Sequence, residues 1–354
     1  MTRARIAAAR LANQHLARPA SDDPAAVVSW FGAVQAQDYG AATWALATRL
    51  RGRATHAAIS AAIDEGRILR THVMRPTWHF VAPDDIRWML ELTAPRVHRA
   101  LNWGHTQLGT HAALRNRAMA VIERALAAQP AQTRPELASH LARAGMPLNG
   151  TALALVVMHA EVEQLICSGP RRGKQSTYVL FERRVPKSTR RSRDEALAEL
   201  TIRYFRSHAP ATVRDFSWWS GLTAADARRG LDIVRGRSES IDGLTYFSLP
   251  HRRRATPSAR VHLLPVYDEY LVAYRDLAAV PRGAAKWGIL PQALVVDGLV
   301  VGDWKPDRRG NDLTVRVRAE RRLTEAERAA LVRVVDRYRG FHAAPTARLD
   351  ILPM

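Results

Sequence analysis

The sequence has one cysteine, Cys167, and only four lysines among its 354 residues. A single cysteine excludes an internal disulfide framework and any metal site built from several cysteines, and it fits a reducing compartment. No uncharged apolar run approaches the roughly 20 residues of a membrane helix, since LNGTALALVVMHA stops at Glu161. At the N-terminus, Arg10 interrupts the apolar stretch before it reaches signal-peptide length. We therefore expect a cytoplasmic protein that does not associate with membranes.

The chain has 53 Lys plus Arg and 33 Asp plus Glu, which gives a formal charge of +20. Only four of the 53 are lysines, so the excess of positive charge is almost entirely arginine. The planar guanidinium fork suits phosphate and groove contacts, so this charge indicates a polyanionic partner, most simply nucleic acid. The alternative is compositional, because an Ala- and Arg-rich chain also follows from a GC-rich genome. How the charge is distributed along the chain decides between the two.

One pattern occurs three times along the chain: two or three short helices, then two strands around a basic or Gly/Pro-containing tip. This order is typical of a winged helix, a helix-turn-helix variant with a β-hairpin appended. In the first copy RILRTHV and TWHFV are the strands and Met74 to Pro76 the tip. The predicted helices of this copy cover about 3–17, 24–33, 41–50 and 56–65.

The second and third copies begin at helix N-terminal capping boxes, Thr133 with Glu136 and Ser192 with Glu195. LICSG and TYVLFE are the predicted strands of the second copy, and SESI and LTYF, joined at Asp242-Gly243, those of the third. After a polar linker, strands are predicted in RVHLLPVYDEYLVAYR, ALVV, LVVGDW and LTVRVR, followed by a helix capped by Thr324 and Glu327.

The predicted fold is α+β: three tandem winged-helix repeats followed by a C-terminal α/β domain with a small β-sheet or barrel. The first repeat carries the helical connector, and the C-terminal domain is rich in strands. The predicted domain boundaries are 1–115, 116–190, 191–254 and 255–354.

The densest positive stretch runs from Arg171 to Arg193, with nine Lys or Arg and one Glu. It begins at the tip of the second hairpin, GPRRGKQ, and continues through the linker. A solvated charge run is the usual interpretation of such a stretch. Its position on a hairpin tip also makes it a candidate for phosphate contacts. The candidate DNA-binding residues here are Arg171, Arg172, Lys174, Arg190 and Arg191.

Several familiar motifs are incomplete in this chain. His159-Ala-Glu161 matches the first half of a zinc deaminase signature, but the cysteine pair that this chemistry needs is absent. GPRRGK is one residue short of a Walker A loop and lacks its Ser or Thr. There is no HExxH and no GxSxG. We expect no metal and no cofactor.

The stretch SWFGAVQAQDY places Gln35 and Gln37 on either side of Ala36. Residues two apart point the same way only when the backbone is extended. Glutamine has no useful acid or base chemistry at neutral pH, but its amide can both donate and accept hydrogen bonds. The pair is therefore suited to holding a polar group in place.

With its repeats, its basic surface and its QAQ motif, the chain resembles the AlkZ/YcaQ family of DNA glycosylases over nearly its whole length. VQAQDYG, RTHVMRPTWHFV, FSWWSGLT and HLLPVYDEYLVAYRD, in this order, carry the resemblance. It implies a monofunctional enzyme that removes alkylated purines from double-stranded DNA, including bulky natural-product adducts and interstrand crosslinks, for repair or antibiotic self-resistance. It also implies that Gln35 and Gln37 position the hydrolytic water. We expect a monomer, bound to the bacterial nucleoid when engaged.

The chemistry of the substrate agrees with this assignment. A guanine alkylated at N7 carries positive charge, so it leaves without being protonated and needs no strong acid. Two neutral amides can place a water and face an oxocarbenium-like centre with their dipoles. Two alternatives remain: a DNA-binding regulator without enzymatic activity, and a scaffold that binds proteins through its winged helices.

Four neighbours of the motif are further candidates. Asp38 either adds negative charge at the reaction centre or serves as the N-cap of the next helix. Arg75 at the hairpin tip is a candidate for groove or phosphate contact. Trp78 and His79 are candidates to probe the duplex, the alternative being a packed tryptophan and a hydrogen-bonded histidine.

Overall fold

The computed structural model describes residues 3–249, 260–275 and 292–352. In these ranges the chain is a mixed α/β protein in which helices surround small sheets. Helix α1 (Arg3–Asn13) comes first. The long helix α5 (Pro83–Gln107) connects the first two of three similar units, which we call unit 1 (residues 24–81), unit 2 (112–180) and unit 3 (193–248).

Unit 1 contains three helices and a three-stranded antiparallel sheet of order β1-β3-β2. Its elements are α2 (Pro24–Phe31), β1 (Ala33–Gln35), α3 (Tyr39–Ala47), α4 (His56–Asp64), β2 (Leu69–Thr71) and β3 (His79–Val81). The helix predicted to reach residue 33 ends at Phe31, because Gly32 takes a φ of 85° and terminates it. This ending lets the next residues form β1, a strand that the sequence analysis did not identify.

Unit 2 repeats this order of elements, and its sheet has the equivalent order β4-β6-β5. Its elements are α6 (Ala112–Ala128), β4 (Gln132–Thr133), α7 (Arg134–Arg143), α8 (Gly150–Val162), β5 (Ile166–Ser168) and β6 (Thr177–Leu180), followed by the 3-10 turn Phe181–Arg183.

Unit 3 has the same order except that an isolated bridge between Ala211 and Phe247 replaces the first strand. Its elements are α9 (Arg193–His208), α10 (Val213–Ser220), α11 (Ala224–Ile233), β7 (Arg237–Ile241) and β8 (Leu244–Ser248). Asp242 and Gly243 join β7 to β8 with φ values of 50° and 77°, as the predicted hairpin turn requires.

The C-terminal part forms a five-stranded sheet of order β13-β12-β11-β10-β9, in which β12 and β13 are parallel. Its elements are β9 (Val261–Leu264), α12 (Glu269–Val272), β10 (Ala293–Val296), β11 (Leu299–Arg309), β12 (Asp312–Ala319), α13 (Glu325–Phe341) and β13 (Thr346–Leu352). The strand prediction for RVHLLPVYDEYLVAYR is wrong after Leu264. Pro265 follows that strand, and Asp268 then caps the short helix α12 by accepting a hydrogen bond from the Tyr270 N–H.

The predicted capping boxes of α7, α9 and α13 are all present. In each, the Ser or Thr side chain accepts from the backbone N–H three residues on, and the Glu there accepts from the cap residue's own N–H. These starts are fixed by local chemistry, which is why the sequence predicts them.

Two hydrophobic clusters meet at β1. Val34 and Ala36 belong to a cluster that joins unit 1 to the C-terminal sheet and α13. Ala33 belongs to a second cluster that joins β3 and α5 to unit 3. Alternate residues of a strand face opposite ways, so β1 lies between the two cores. The QAQ motif at its end is therefore attached to a strand that is buried between these two clusters.

Candidate active site

The QAQ motif begins at the last residue of β1. The Gln35 N–H donates to Glu269 Oε1 (2.6 Å), and the Ala36 N–H donates to the Trp78 carbonyl (2.7 Å). Pairing with the neighbouring strand thus continues to Ala36, and the chain bends at Gln37 before α3. The side chain of Gln35 is 5% exposed, whereas Gln37 is exposed.

Both amide oxygens are held by the loop between β2 and β3. Arg75 Nη2 donates to Gln35 Oε1 (2.8 Å), and the Trp78 N–H donates to Gln37 Oε1 (3.2 Å). Among the described residues, neither amide nitrogen has a hydrogen-bond partner. The structure therefore brings together Gln35, Gln37, Arg75 and Trp78, and it fixes which way each amide faces.

Arg70 binds the backbone carbonyls of the QAQ motif. The sequence analysis did not identify this residue as a candidate. Its Nε donates to the Ala36 carbonyl (3.0 Å) and its Nη2 to the Gln37 carbonyl (3.2 Å), while its guanidinium lies 4.2 Å from the centre of the Trp78 ring. It lies on β2, inside the first repeat's RILRTHV strand. An arginine in a short strand, more than thirty residues after the motif, gives no local signal of this role.

A buried contact between a histidine and a glutamate supports the other side of Trp78. The His72 and Trp78 rings are 4.1 Å apart, and His72 Nδ1 lies 2.6 Å from Glu161 Oε2. Glu161 is fully buried on α8, so unit 2 contributes to the support of the unit 1 loop. Glu161 is also the residue at which the longest apolar run stops, a position that gave no hint of this contact.

Glu269 is a second buried carboxylate that sequence reasoning did not single out. Besides accepting from Gln35, it accepts from Trp219 Nε1 (3.0 Å) and lies 3.2 Å from His208 Nε2. Burial lowers the pKa of His208 and so favours its neutral form. Unit 3, through Trp219, and α12, through Glu269, therefore meet at the backbone of Gln35. Two of the stretches that carry the resemblance contain these residues: FSWWSGLT contains Trp219, and HLLPVYDEYLVAYRD contains Glu269.

The remaining unit 1 candidates are placed as follows. Asp38 is the N-cap of α3, since its carboxylate accepts from the Ala41 N–H (2.8 Å). Trp78 is half-buried between Arg70 and His72. His79 is fully buried on β3, and burial lowers its pKa well below the ordinary value. A duplex contact by His79 would require the strand to move.

The basic residues of the second hairpin and of the linker after it divide into two groups. Arg171 lies 4.0 Å from the centre of the Tyr39 ring and donates to the Lys174 carbonyl, and Arg172 pairs with Glu136 (2.6 Å). By contrast, Lys174 and Arg190 are exposed, with side chains that make no hydrogen bond or ion pair with another described residue. Arg191 is exposed beside the Trp88 ring, 4.9 Å away. The second group is free to meet a ligand.

In the described part of the chain, no helix has the length and apolarity needed to span a membrane. A family model described as DNA glycosylase AlkZ-like matches residues 28–341. No curated protein matches the chain. Among solved structures, the DNA glycosylase AlkZ of Streptomyces sahachiroi is similar over 99% of this chain and 100% of that one, with a TM-score of 0.77 and 20% identity. At this identity, the likeness shows a shared fold.

The family model matches most of the chain. The chain therefore belongs to the AlkZ-like DNA glycosylase family and is an enzyme that acts on N-glycosyl bonds of DNA.

Proposed function

We propose that this glycosylase hydrolyses the N-glycosidic bond of cationic purines, alkylated at N7 or N3, in double-stranded DNA. Gln35 and Gln37 hold the attacking water. The observation that carries the proposal is the fixed orientation of both amides by Arg75 and the Trp78 N–H. The regulator and scaffold alternatives are set aside, because the family is one of enzymes.

The leaving group supplies much of the driving force. As the bond between C1′ and the base nitrogen breaks, its electron pair neutralises the positive charge of the alkylated ring. The water oxygen forms the new bond to C1′, and its proton passes to solvent. A normal purine carries no such charge and would leave as an anion, so the same site acts on it poorly.

The amides have the capacity to hold this water. A carbonyl oxygen has two lone pairs. The Oε1 atoms of Gln35 and Gln37 each accept one hydrogen bond within the protein, so each can accept one more from water. Held at fixed positions, these dipoles require no reorganisation as charge develops on the sugar.

The nearby carboxylates are engaged elsewhere. Asp38 caps α3, and Glu269 is in contact with Gln35, Trp219 and His208. Both carboxylates therefore already have hydrogen-bond partners within the protein. Lack of a strong base restricts the enzyme to substrates that leave easily, which gives selectivity for damaged bases.

Bulky lesions are the finer part of the proposed substrate class. The small cleft beside Trp78 is lined by Tyr39, Arg70, Arg171 and Tyr178 among others, but by neither Gln35 nor Gln37. We include bulky adducts and interstrand crosslinks because the resemblance to the AlkZ/YcaQ family implies them, with repair or self-resistance as the role.

We further propose that units 1 to 3 are winged helices that bind one duplex as a monomer. Units 1 and 2 share helix-strand-helix-helix-strand-strand order and the same sheet order, and unit 3 keeps it with a bridge for its first strand. Three different copies in one chain form an asymmetric cradle, unlike a dimer over symmetric half-sites. Lys174, Arg190 and Arg191 are the exposed cations expected to meet phosphates.

The test is single-turnover excision from a duplex that carries one N7-methylguanine, with heat and alkali to reveal abasic sites. Gln35→Ala and Gln37→Ala should each lose a large factor in rate while DNA affinity stays within a few fold. The double variant should be scarcely worse than the poorer single one, because groups that act as a unit are non-additive.

Gln107→Ala is the matched control, because Gln107 is exposed at the end of α5 and makes no hydrogen bond through its side chain within the described ranges. It should excise at the wild-type rate. Wild-type rates in both site variants would show that the glutamines are structural. Binding without base release from any alkylated duplex would contradict the proposed substrate class.

A further inference from the structure

A second group of chemically competent side chains lies between α5 and α8, on a different face of α8 from the active-site support. His159 and Glu163 are four residues apart and share one side of the helix. Glu161, which supports Trp78 through His72, is two residues from each, and two residues turn a helix by about 200°. His98 reaches the group from α5.

The three side chains are close enough to share one ion. One ligand atom from each of His98, His159 and Glu163 lies within 4.8 Å of the other two, and His98 Nε2 is 2.8 Å from Glu163 Oε1. Zinc bonds of about 2.0–2.2 Å in tetrahedral geometry place ligand atoms about 3.4 Å apart. Small side-chain movements are enough to reach that spacing.

Unpartnered nitrogens beside this group give an independent indication. His159 is 8% exposed and its Nδ1 has no hydrogen-bond partner among the described residues, and the same holds for Nε2 of His105, which is 5% exposed. The His105 and His98 rings lie 5.9 and 5.2 Å from that of His159. A buried polar atom without a partner costs free energy, so such a cluster points to something that it binds.

We propose that His98, His159 and Glu163 form a binding site for a divalent transition-metal ion, zinc foremost, that clamps the end of α8 to α5. Two imidazoles and a carboxylate suit zinc and poorly suit magnesium, which prefers oxygen ligands. Water completes the coordination on the exposed side, where Glu163 lies. The site is independent of the proposed base excision.

The surroundings set limits on affinity. The positive charge of Arg115 acts on both His105 and His159 and opposes a bound cation. Three protein ligands also bind less tightly than the four of a closed structural site. His105 is oriented by its Nδ1, which lies 2.8 Å from Thr110 Oγ1, and it borders the site without belonging to the group.

The experiment uses the full chain, stripped with a chelator and titrated with Zn²⁺ against a chromogenic competitor, with Mg²⁺ as a second probe. Wild type should bind about one zinc through this site and none of the magnesium, and its melting temperature should rise with zinc. Removing one ligand should weaken zinc binding at least ~10-fold, since even outer-shell partners are worth 10–100-fold.

His98→Asn and Glu163→Gln are the test variants, because each keeps a hydrogen-bonding side chain in place of the ligand. His140→Asn, on the surface of α7, is the matched control and should bind zinc as wild type does. Circular dichroism of the metal-free proteins shows whether each variant is folded. Two outcomes would contradict the proposed metal site: equal zinc affinity in wild type and both folded test variants, or no zinc binding by wild type. In either case His98 and Glu163 would form a structural contact without a metal-binding role.

Discussion

Arg75 links the active site to the aromatic surface of unit 3. Its guanidinium donates to Gln35 and lies 5.7 Å from the centre of the Trp218 ring, which Arg275 approaches from 5.0 Å. Burial lowers the pKa of Arg75, although Glu269 counteracts this by stabilising the charged form. We propose that this half-buried cation, which donates to one amide oxygen, positions Gln35. That role is more specific than the groove contact predicted from the place of Arg75 at the hairpin tip.

We expect Arg75→Met to slow single-turnover excision by about 10- to 100-fold, because a hydrogen bond to a charged group is worth about 1.5–3 kcal/mol. Without the guanidinium, the Gln35 amide rotates and no longer presents its oxygen to the water. Single-turnover rates and lesion-DNA affinity, measured side by side, check this expectation.

Arg51→Met, at an exposed arginine paired with Asp22, is the control and should retain the wild-type rate. The positioning role requires the rate of Arg75→Met to fall more than its affinity. A loss confined to affinity would instead make Arg75 a direct DNA contact.

At the scale of elements, the basic hairpin of unit 2 is less uniform than its sequence. Arg171 and Arg172 at its tip make contacts within the protein, whereas the exposed Lys174 side chain has no hydrogen bond or ion pair within the part of the chain that the structure describes. A count of charged residues along the sequence does not distinguish cations that already have partners from cations that have none. Their availability to phosphate depends on partners such as Tyr39 and Glu136, which are distant in sequence.

We therefore predict that Lys174→Ala, Arg190→Ala and Arg191→Ala each lower the slope of log affinity against log salt by about 0.9 on B-DNA. Arg172→Ala, the matched control, should change the slope less, because its guanidinium is already paired with Glu136. Fluorescence anisotropy at several salt concentrations measures the slopes. Equal slopes for wild type and all three variants would show that these residues form a solvated surface and do not contact phosphates.

The start of α13 provides a prediction about pH. Arg321 donates two hydrogen bonds to Glu327, and these bonds with the Thr324 N–H lower the pKa of Glu327 from 4.5 to about 2. A carboxyl whose pKa is lowered by folding stabilises the folded state above its unfolded pKa. This contribution is lost as the pH falls from about 4.5 towards 2.

Glu327→Gln should therefore cost stability at pH 6 and cost progressively less as the pH falls below about 4.5. Urea unfolding midpoints at pH 6, 4 and 3 measure the difference. Glu325→Gln removes the same charge from the same helical turn without touching Arg321, and should cost little at any of these values. A cost for Glu327→Gln that stays constant with pH would contradict the lowered pKa.

The sequence predicts elements that adjacent residues determine, and it does not predict elements that depend on pairing with a distant strand. The caps of α7, α9 and α13 and the turn at Asp242-Gly243 follow from a few adjacent residues. Strand β1 is three residues long and exists because β3 pairs with it, and β13 exists because β12 does. The segment after Leu264 has the apolar content of a strand, but a proline and an Asp cap make it a turn and a helix.

The same division holds for the candidate site. The glutamine pair was visible because its spacing and residue type are unusual. Arg70, Glu161 and Glu269 were not, because each acquires its place through a contact with a residue that is distant in sequence. Individually they are an arginine in a strand and glutamates in apolar stretches, which carry no local signal of function.

At the scale of the whole molecule, the C-terminal sheet is part of the structure that holds the active site. It shares a hydrophobic cluster with unit 1, and Trp44 Nε1 donates to the Leu263 carbonyl (2.7 Å). Arg49 donates two hydrogen bonds to Asp268, at 2.8 and 2.7 Å, and both residues are buried. Asp268 adjoins Glu269, which binds the Gln35 N–H. The geometry of the glutamine pair therefore depends on a contact between residues more than two hundred positions apart.

Asp268→Asn should reduce both stability and excision, because it leaves the buried Arg49 charge without its counter-ion, a loss that costs about 3–5 kcal/mol in buried pairs. Urea unfolding and single-turnover excision measure the two effects. Asp336→Asn, which breaks the exposed pair with Arg53, is the control and should cost far less. The double variant Arg49→Met with Asp268→Leu should regain much of the lost stability, since apolar replacements of a buried ion pair are often tolerated. Its excision should stay low if the pair also positions Glu269. An Asp268→Asn variant as stable and active as Asp336→Asn would show that the C-terminal sheet does not support the site.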